Sequence, residues 1–211
     1  MRKPFEETSI GSAFSAAIDV VYVGLLWCLC SIPIVTIGPA CTALYYTTAK
    51  SIRHERGRVT ATFFGAFKSN FRTSLLVWLI LLAYILIGAA NIYILGGMEN
   101  AKGTVFWYLS RVMLVPAVFI FVWVFPFISR FENTVIGSVR FACFLALKNM
   151  SRTLLLCAFL AAFVIIAWLM PALIPLMPGL CCLIMSYTAE KTLIAAAHGS
   201  EDNNADKWYN E

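Results

Sequence analysis

Long apolar runs separated by short basic stretches dominate this chain, and their lengths predict helices that cross a bilayer. The first run, Ser12 to Ala49, is interrupted only by Asp19 and would make a helix of ~57 Å, against a hydrocarbon core of ~30 Å. One crossing cannot hold it. Pro33, Gly38 and Pro39 lie inside the run, and proline removes a backbone donor while glycine loosens the backbone. The pattern therefore predicts a hairpin of two short arms, Ser12 to Ile32 and Gly38 to Ile52, turning at Pro33 to Pro39. In hydrocarbon, irregular backbone of this kind is tolerated where protein buries it, where it lines a wet cavity, or at the interface.

Two more single crossings follow, Thr73 to Gly96 and roughly Thr104 to Ile128, the second kinked at Pro116. The last run, Thr153 to Ala189, is again too long for one crossing. Pro171, Pro175 and Pro178 divide it into a second hairpin, with the final arm extending to about Ala197. Between the first hairpin and the next span, Phe63, Phe67 and Phe71 recur at i, i+4 and i+8, with Lys68 and Arg72 off the stripe. That spacing suits an interfacial helix over residues 59–72 or the end of the next span, and in both cases sets the aromatic stripe against lipid or a partner helix. The expected fold is all-α: a polytopic helix bundle of about six apolar segments, one membrane domain over residues 1–200 and a polar tail over 201–211.

Composition agrees. Of 211 residues, 61% are hydrophobic and 13% charged, with a mean hydropathy of +0.81, whereas soluble domains carry about 25% charged residues. No soluble catalytic domain fits. The N-terminus lacks a short apolar region followed by a small-residue cleavage site, so the first span is expected to be retained. The net charge of +5 comes from basic residues in short loops, which is a topology signal rather than a nucleic-acid surface. Lys50, Arg53, Arg56 and Arg58 in one loop, and Arg130, Arg140, Lys148 and Arg152 in another, place both loops and both termini in the cytoplasm. Glu99 and Lys102 sit in a loop with little positive bias, which suits the outside.

An internal echo runs through the basic boundaries. At an offset of 80 residues, AFKSNFRTSLL aligns with ALKNMSRTLLL, pairing Lys68 with Lys148, Arg72 with Arg152 and Thr73 with Thr153. Parallel repeats of this sort occur in transport proteins, although basic residues followed by leucines also recur at any inner membrane boundary. These four cations are candidate contacts for lipid or a partner.

Candidate chemistry is sparse. Asp19 lies about two turns into the first span, where an ionisable group costs ~2.5–3.5 kcal/mol at mid-membrane, so it is either a functional group or an interfacial cap. Arg111 has the same ambiguity at the other face, where it can snorkel. In SRFEN, Arg130 and Glu132 are two residues apart and do not share a helical face, which points to a loop or helix start, and either to pairing with the basic residues of the first inner loop or to contact with a cytoplasmic partner. The seven cysteines lie in apolar runs without zinc-ligand spacing, so no metal, cofactor or disulfide is expected. No GxSxG, HExxH, phosphate-binding loop or dinucleotide fingerprint occurs, and the expectation is a protein that is not an enzyme.

SIPIVTIGPACTALYYTTAKSIR, FFGAFKSNFRTSLLVWLI, FPFISRFENTV and ALKNMSRTLLL together resemble the YesL-like family of small bacterial membrane proteins over nearly the whole chain. The first signature is carried by Pro33, Thr36, Gly38 and Pro39, and the second by Pro126, Arg130, Phe131, Glu132 and Asn133. The resemblance implies an integral protein of the bacterial cell membrane associated with ABC-type carbohydrate uptake, with a sugar permease as partner besides the lipid bilayer. Three roles follow as expectations. An accessory or regulatory component of such a system leads, with an assembly factor binding lipid or protein, or a small transporter in its own right, as alternatives. A transporter should show a polar cavity reaching from Asp19 toward the Pro33–Pro39 break, and an assembly factor should be tightly packed there.

Overall fold

Uncharged apolar sequence becomes helix in hydrocarbon because the helix satisfies every backbone N–H and C=O within itself. A computed structural model of the chain describes residues 9–53, 58–98, 104–131, 134–170 and 173–197, and among these every regular element is helical. The helices are α1 (Ser9–Cys30), α2 (Ile37–Thr47), α3 (Val59–Ser69), α4 (Phe71–Gly97), α5 (Val105–Val112), α6 (Val115–Arg130), α7 (Val135–Lys148), α8 (Met150–Leu169) and α9 (Met177–Ala197). A 3-10 turn (Ile34–Thr36) links α1 to α2, and α2 runs on into a π-helical turn (Thr48–Arg53). The tail 201–211, Glu99, Lys102, Glu132, Asn133, Arg56 and Pro171 lie outside the described residues.

The bundle is that of a membrane protein. Three runs, Phe71–Gly97, Val105–Arg130 and Met150–Leu169, are long and apolar enough to cross a membrane, and α1 adds a shorter apolar stretch, Ser15–Cys30. Their outward surfaces are hydrocarbon-like: Ile87 is 72% exposed and Trp168 83% exposed. The centre is made by α2 and α6, whose buried faces (Ala43, Leu44, Val122, Trp123, Phe125) meet. Around them, α1 packs on α9, and α4 and α8 flank.

Two expected boundaries are refined. Residues 105–130 form one crossing, disturbed within a turn before Pro116 as expected of a proline kink. The chain breaks at Met113–Leu114, and Pro116 takes the second position of α6, where its missing N–H costs nothing. The Tyr84 hydroxyl on α4 donates to the Met113 carbonyl freed there, 2.5 Å away. Likewise the helix over 59–72 is two elements: α3 stops at Ser69 and α4 starts at Phe71, with Asn70 between them. Its aromatic stripe faces protein, since Phe63 is fully buried against the neighbouring α2 and stacks on Phe67 at 6.3 Å.

The echo has a counterpart in the helix boundaries, at a register of 79 rather than 80. Ser69 and Lys148 end α3 and α7, and Phe71 and Met150 begin α4 and α8, each pair 79 apart. Buried positions of α4 and α8 obey the same offset, Ser74 with Thr153 and Val77 with Leu156, while in α3 and α7 buried Ala66 meets a buried residue at either offset, Leu145 or Ala146. At an offset of 80, buried Ser74 would instead match Leu154, which is 57% exposed. Long basic side chains can reach the same membrane level from adjacent positions, so they echo depth, whereas buried residues echo the packing face. Each copy is fastened alike at the start of its second helix. The Ser74 and Thr42 hydroxyls lie 2.8 Å apart, tying α4 to α2, and Trp123 Nε1 of α6 donates to Thr153 Oγ1 at 2.9 Å.

Candidate functional site

The first signature builds a joint. Pro33 holds extended backbone after α1 (φ −75°, ψ 116°), and the Thr36 hydroxyl bridges the carbonyls of Cys30 at 2.6 Å and Pro33 at 2.8 Å, capping α1 across the gap. Pro39 stands in the first turn of α2, where no intrahelical donor is lost. Gly38 lets α4 come close: a Cβ there would lie 2.5 Å from Trp78 Cβ and 2.6 Å from the Ser74 carbonyl. Trp78 closes the joint, its Nε1 donating to the Ile34 carbonyl at 2.7 Å while its ring packs on Phe121 and Phe125. Gly38, Pro39 and Ala40, in the first turn of α2, are buried, whereas the irregular turn before them lies at the bundle surface, with Ile32 75% and Ile34 61% exposed.

The second signature fastens the opposite end, where the basic residues gather. Arg130, the last residue of α6, forms an ion pair with Glu190 of α9, with only 4% and 3% of the two side chains exposed. Phe131 follows at 4.9 Å from Phe127, which stacks in turn on Phe141 of α7 at 4.6 Å. Arg130 therefore connects α6 to α9, and Phe127, backed by Phe131, connects it to α7. Sequence reasoning missed Glu190, because the apolar stretch was closed one residue earlier at Ala189. A carboxylate inside an otherwise apolar helix that continues to Ala197 is the signal that could have found it.

Other candidates are placed as follows. Lys68, Arg72, Lys148 and Arg152 are all exposed at the ends of α3 and α7 and the starts of α4 and α8. Lys148 lies over the Phe144 ring at 5.5 Å, and Arg152 Nη1 donates to Thr192 Oγ1 of α9 at 2.7 Å. Arg111 folds back on its own helix, donating to the Trp107 carbonyl at 2.8 Å with its guanidinium 3.5 Å from the Trp107 ring centre. Asp19 is half-buried in α1, next to Val20, whose backbone meets Gly179 of α9. The joint and Asp19 are not brought together: eleven helical residues, ~16 Å, separate Asp19 from Cys30.

Between the joint and the ion pair lies an open-sided cavity of about 410 Å³ lined by α1, α2, α6, α8 and α9. Trp27, Cys41, Phe125, Leu160, Met177 and Cys182 are among its lining residues, and its walls are almost wholly carbon and sulfur. The Trp27 indole N–H, a polar group in that wall, donates to Cys41 Sγ at 3.4 Å. Among the described residues, no group of His, Cys, Asp and Glu side chains has the arrangement of a metal site.

Residues 20–92 match the family described as Protein of unknown function, DUF624. The matched stretch runs from α1 through the joint, α2 and α3 into most of α4. No curated protein and no solved structure matches the chain.

Proposed function

We propose that the protein is a non-conducting accessory component of a membrane transport system that docks to a partner through its spans. The observation carrying this reading is the joint at Pro33–Pro39. Thr36, Gly38 and Pro39 are all engaged in capping or packing, and Trp78 ties the exposed turn to α4, as expected of a surface turn in a scaffold rather than of a solute path. The face available to a partner is that of α4 beyond Leu81, which is apolar and largely unpaired within the bundle. The resemblance to YesL-like proteins, finer than the match over 20–92, makes an ABC-type carbohydrate permease in the bacterial cell membrane the partner of choice. The basic end, with α3 and α7, faces the cytoplasm in this reading.

The test is affinity purification from the native membrane in mild detergent, with mass spectrometry of co-purifying proteins, alongside sugar uptake in a deletion strain. A permease or its ATPase should co-purify and uptake should fall in the deletion strain. Absence of both partners together with unchanged uptake refutes the accessory role.

A further inference from the structure

We propose that the cavity between α2, α6, α8 and α9 is a binding site for one hydrocarbon chain of a bilayer lipid. Its walls exclude water, because a buried water needs two to four polar partners and Trp27, a donor of the wall, is already committed to Cys41. Its volume, about 410 Å³, is well beyond the ~150 Å³ of apolar cavities that stay dry and take a single aromatic ring. The lining residues of α9 run from Met177 to Met185, giving the space a length of ~12 Å along the helix. A chain fits these dimensions.

The occupant is at hand because the rim opens on the lipid-facing side: Val164, 61% exposed, and Ile174, 44% exposed, are shared by the cavity wall and the outer surface. Leu44 and Cys182, 6% and 8% exposed, form the inner wall, which bulk lipid outside the bundle does not reach. A bound chain supplies the dispersion contacts that an empty space of this size denies to its lining. The site is independent of any partner protein.

The test uses the full chain reconstituted into phosphatidylcholine vesicles doped with a phosphatidylcholine that carries a photoactivatable diazirine midway along one acyl chain. After irradiation, adducts are mapped by mass spectrometry. Adducts on Leu44, Cys41 or Cys182 are expected in addition to those on outward residues such as Ile87. Ala167→Trp within the wall and Val164→Trp at the rim should each remove the inner adducts while Ile87 stays labelled, which also reports that the variant is folded in the bilayer. Labelling confined to outward residues of the wild-type protein overturns the proposal without any variant. Inner adducts that survive both substitutions overturn it as well.

Discussion

A guanidinium and a carboxylate buried together are held by each other, and removing one leaves the other charged in a medium that cannot solvate it. For Arg130 and Glu190 the expected cost of Arg130→Ala or Glu190→Ala is about 3–5 kcal/mol, read as a fall in melting temperature on the order of 10 °C for a chain of this size. The double substitution Arg130→Met with Glu190→Leu should recover much of that loss, since a well-packed apolar pair often matches a buried ion pair. Thermal unfolding in detergent of the two single variants and the double variant decides it, and additive losses would show that the pair is not coupled. Thr153 is the second residue with a large expected effect. Its hydroxyl accepts from Trp123 and lies 3.0 Å from the carbonyls of Ala146 and Asn149, so Thr153→Val should cost about 1–3 kcal/mol in the same assay. Arg130 was legible in the sequence as a charge beside a proline-bearing apolar helix. Its partner was not, because Glu190 is 60 residues further on and only the packing of α6 against α9 brings the two together.

Helix boundaries were legible wherever proline marked them, as at Pro33 and, within a turn, at Pro116. The one carried by an ordinary polar residue, Asn70, was not. The Tyr84 hydroxyl donates to the Met113 carbonyl beside the Pro116 break, and Asn70 ends α3 where the chain turns into α4. Close approach of helices was equally hidden, since a glycine in an apolar run reads the same whether or not a backbone lies against it. Gly24 faces the Pro175 carbonyl and Gly179 faces the Val20 carbonyl, so α1 and α9 meet backbone to backbone through two reciprocal glycines. Gly24→Leu should force these helices apart and lower stability more than the same change at Gly96, where an added Cβ meets nothing within 4 Å. At the joint, Gly38→Ala should cost about 1–3 kcal/mol, because neither the Ser74 carbonyl nor the Trp78 backbone can yield cheaply. Trp78→Phe keeps the ring packing and loses the hydrogen bond to Ile34, so its effect should be the smaller, about 1 kcal/mol. A Trp78→Phe variant as unstable as Gly38→Ala would mean that the hydrogen bond, not the close approach, holds the break.

For the whole molecule, the all-α class and the gathering of cations at one end follow from hydropathy and loop charge alone, while the division of about six expected segments into nine α-helices among the described residues, and the register of the repetition, needed coordinates. That repetition has a consequence for orientation. Because α3 and α7 occupy equivalent places after α2 and α6, their exposed cations Lys68 and Lys148 must lie on the same side of the membrane, whichever side that is. Met98, at the far end of α4, must then lie on the other side, since α4 spans ~40 Å from Phe71 to Gly97. The positive-inside rule assigns the lysines to the cytoplasm. Lys68→Cys and Lys148→Cys should therefore react with an impermeant maleimide only after the cells are permeabilised, and Met98→Cys should react in intact cells, each measured over the background of the wild-type protein. Reaction of Lys68→Cys and Lys148→Cys under opposite conditions would break the parallel repeat itself, because two equivalent helices cannot lie on opposite faces. Reaction of both in intact cells would keep the repeat but invert the bundle, leaving loop charge overruled by some stronger determinant of insertion.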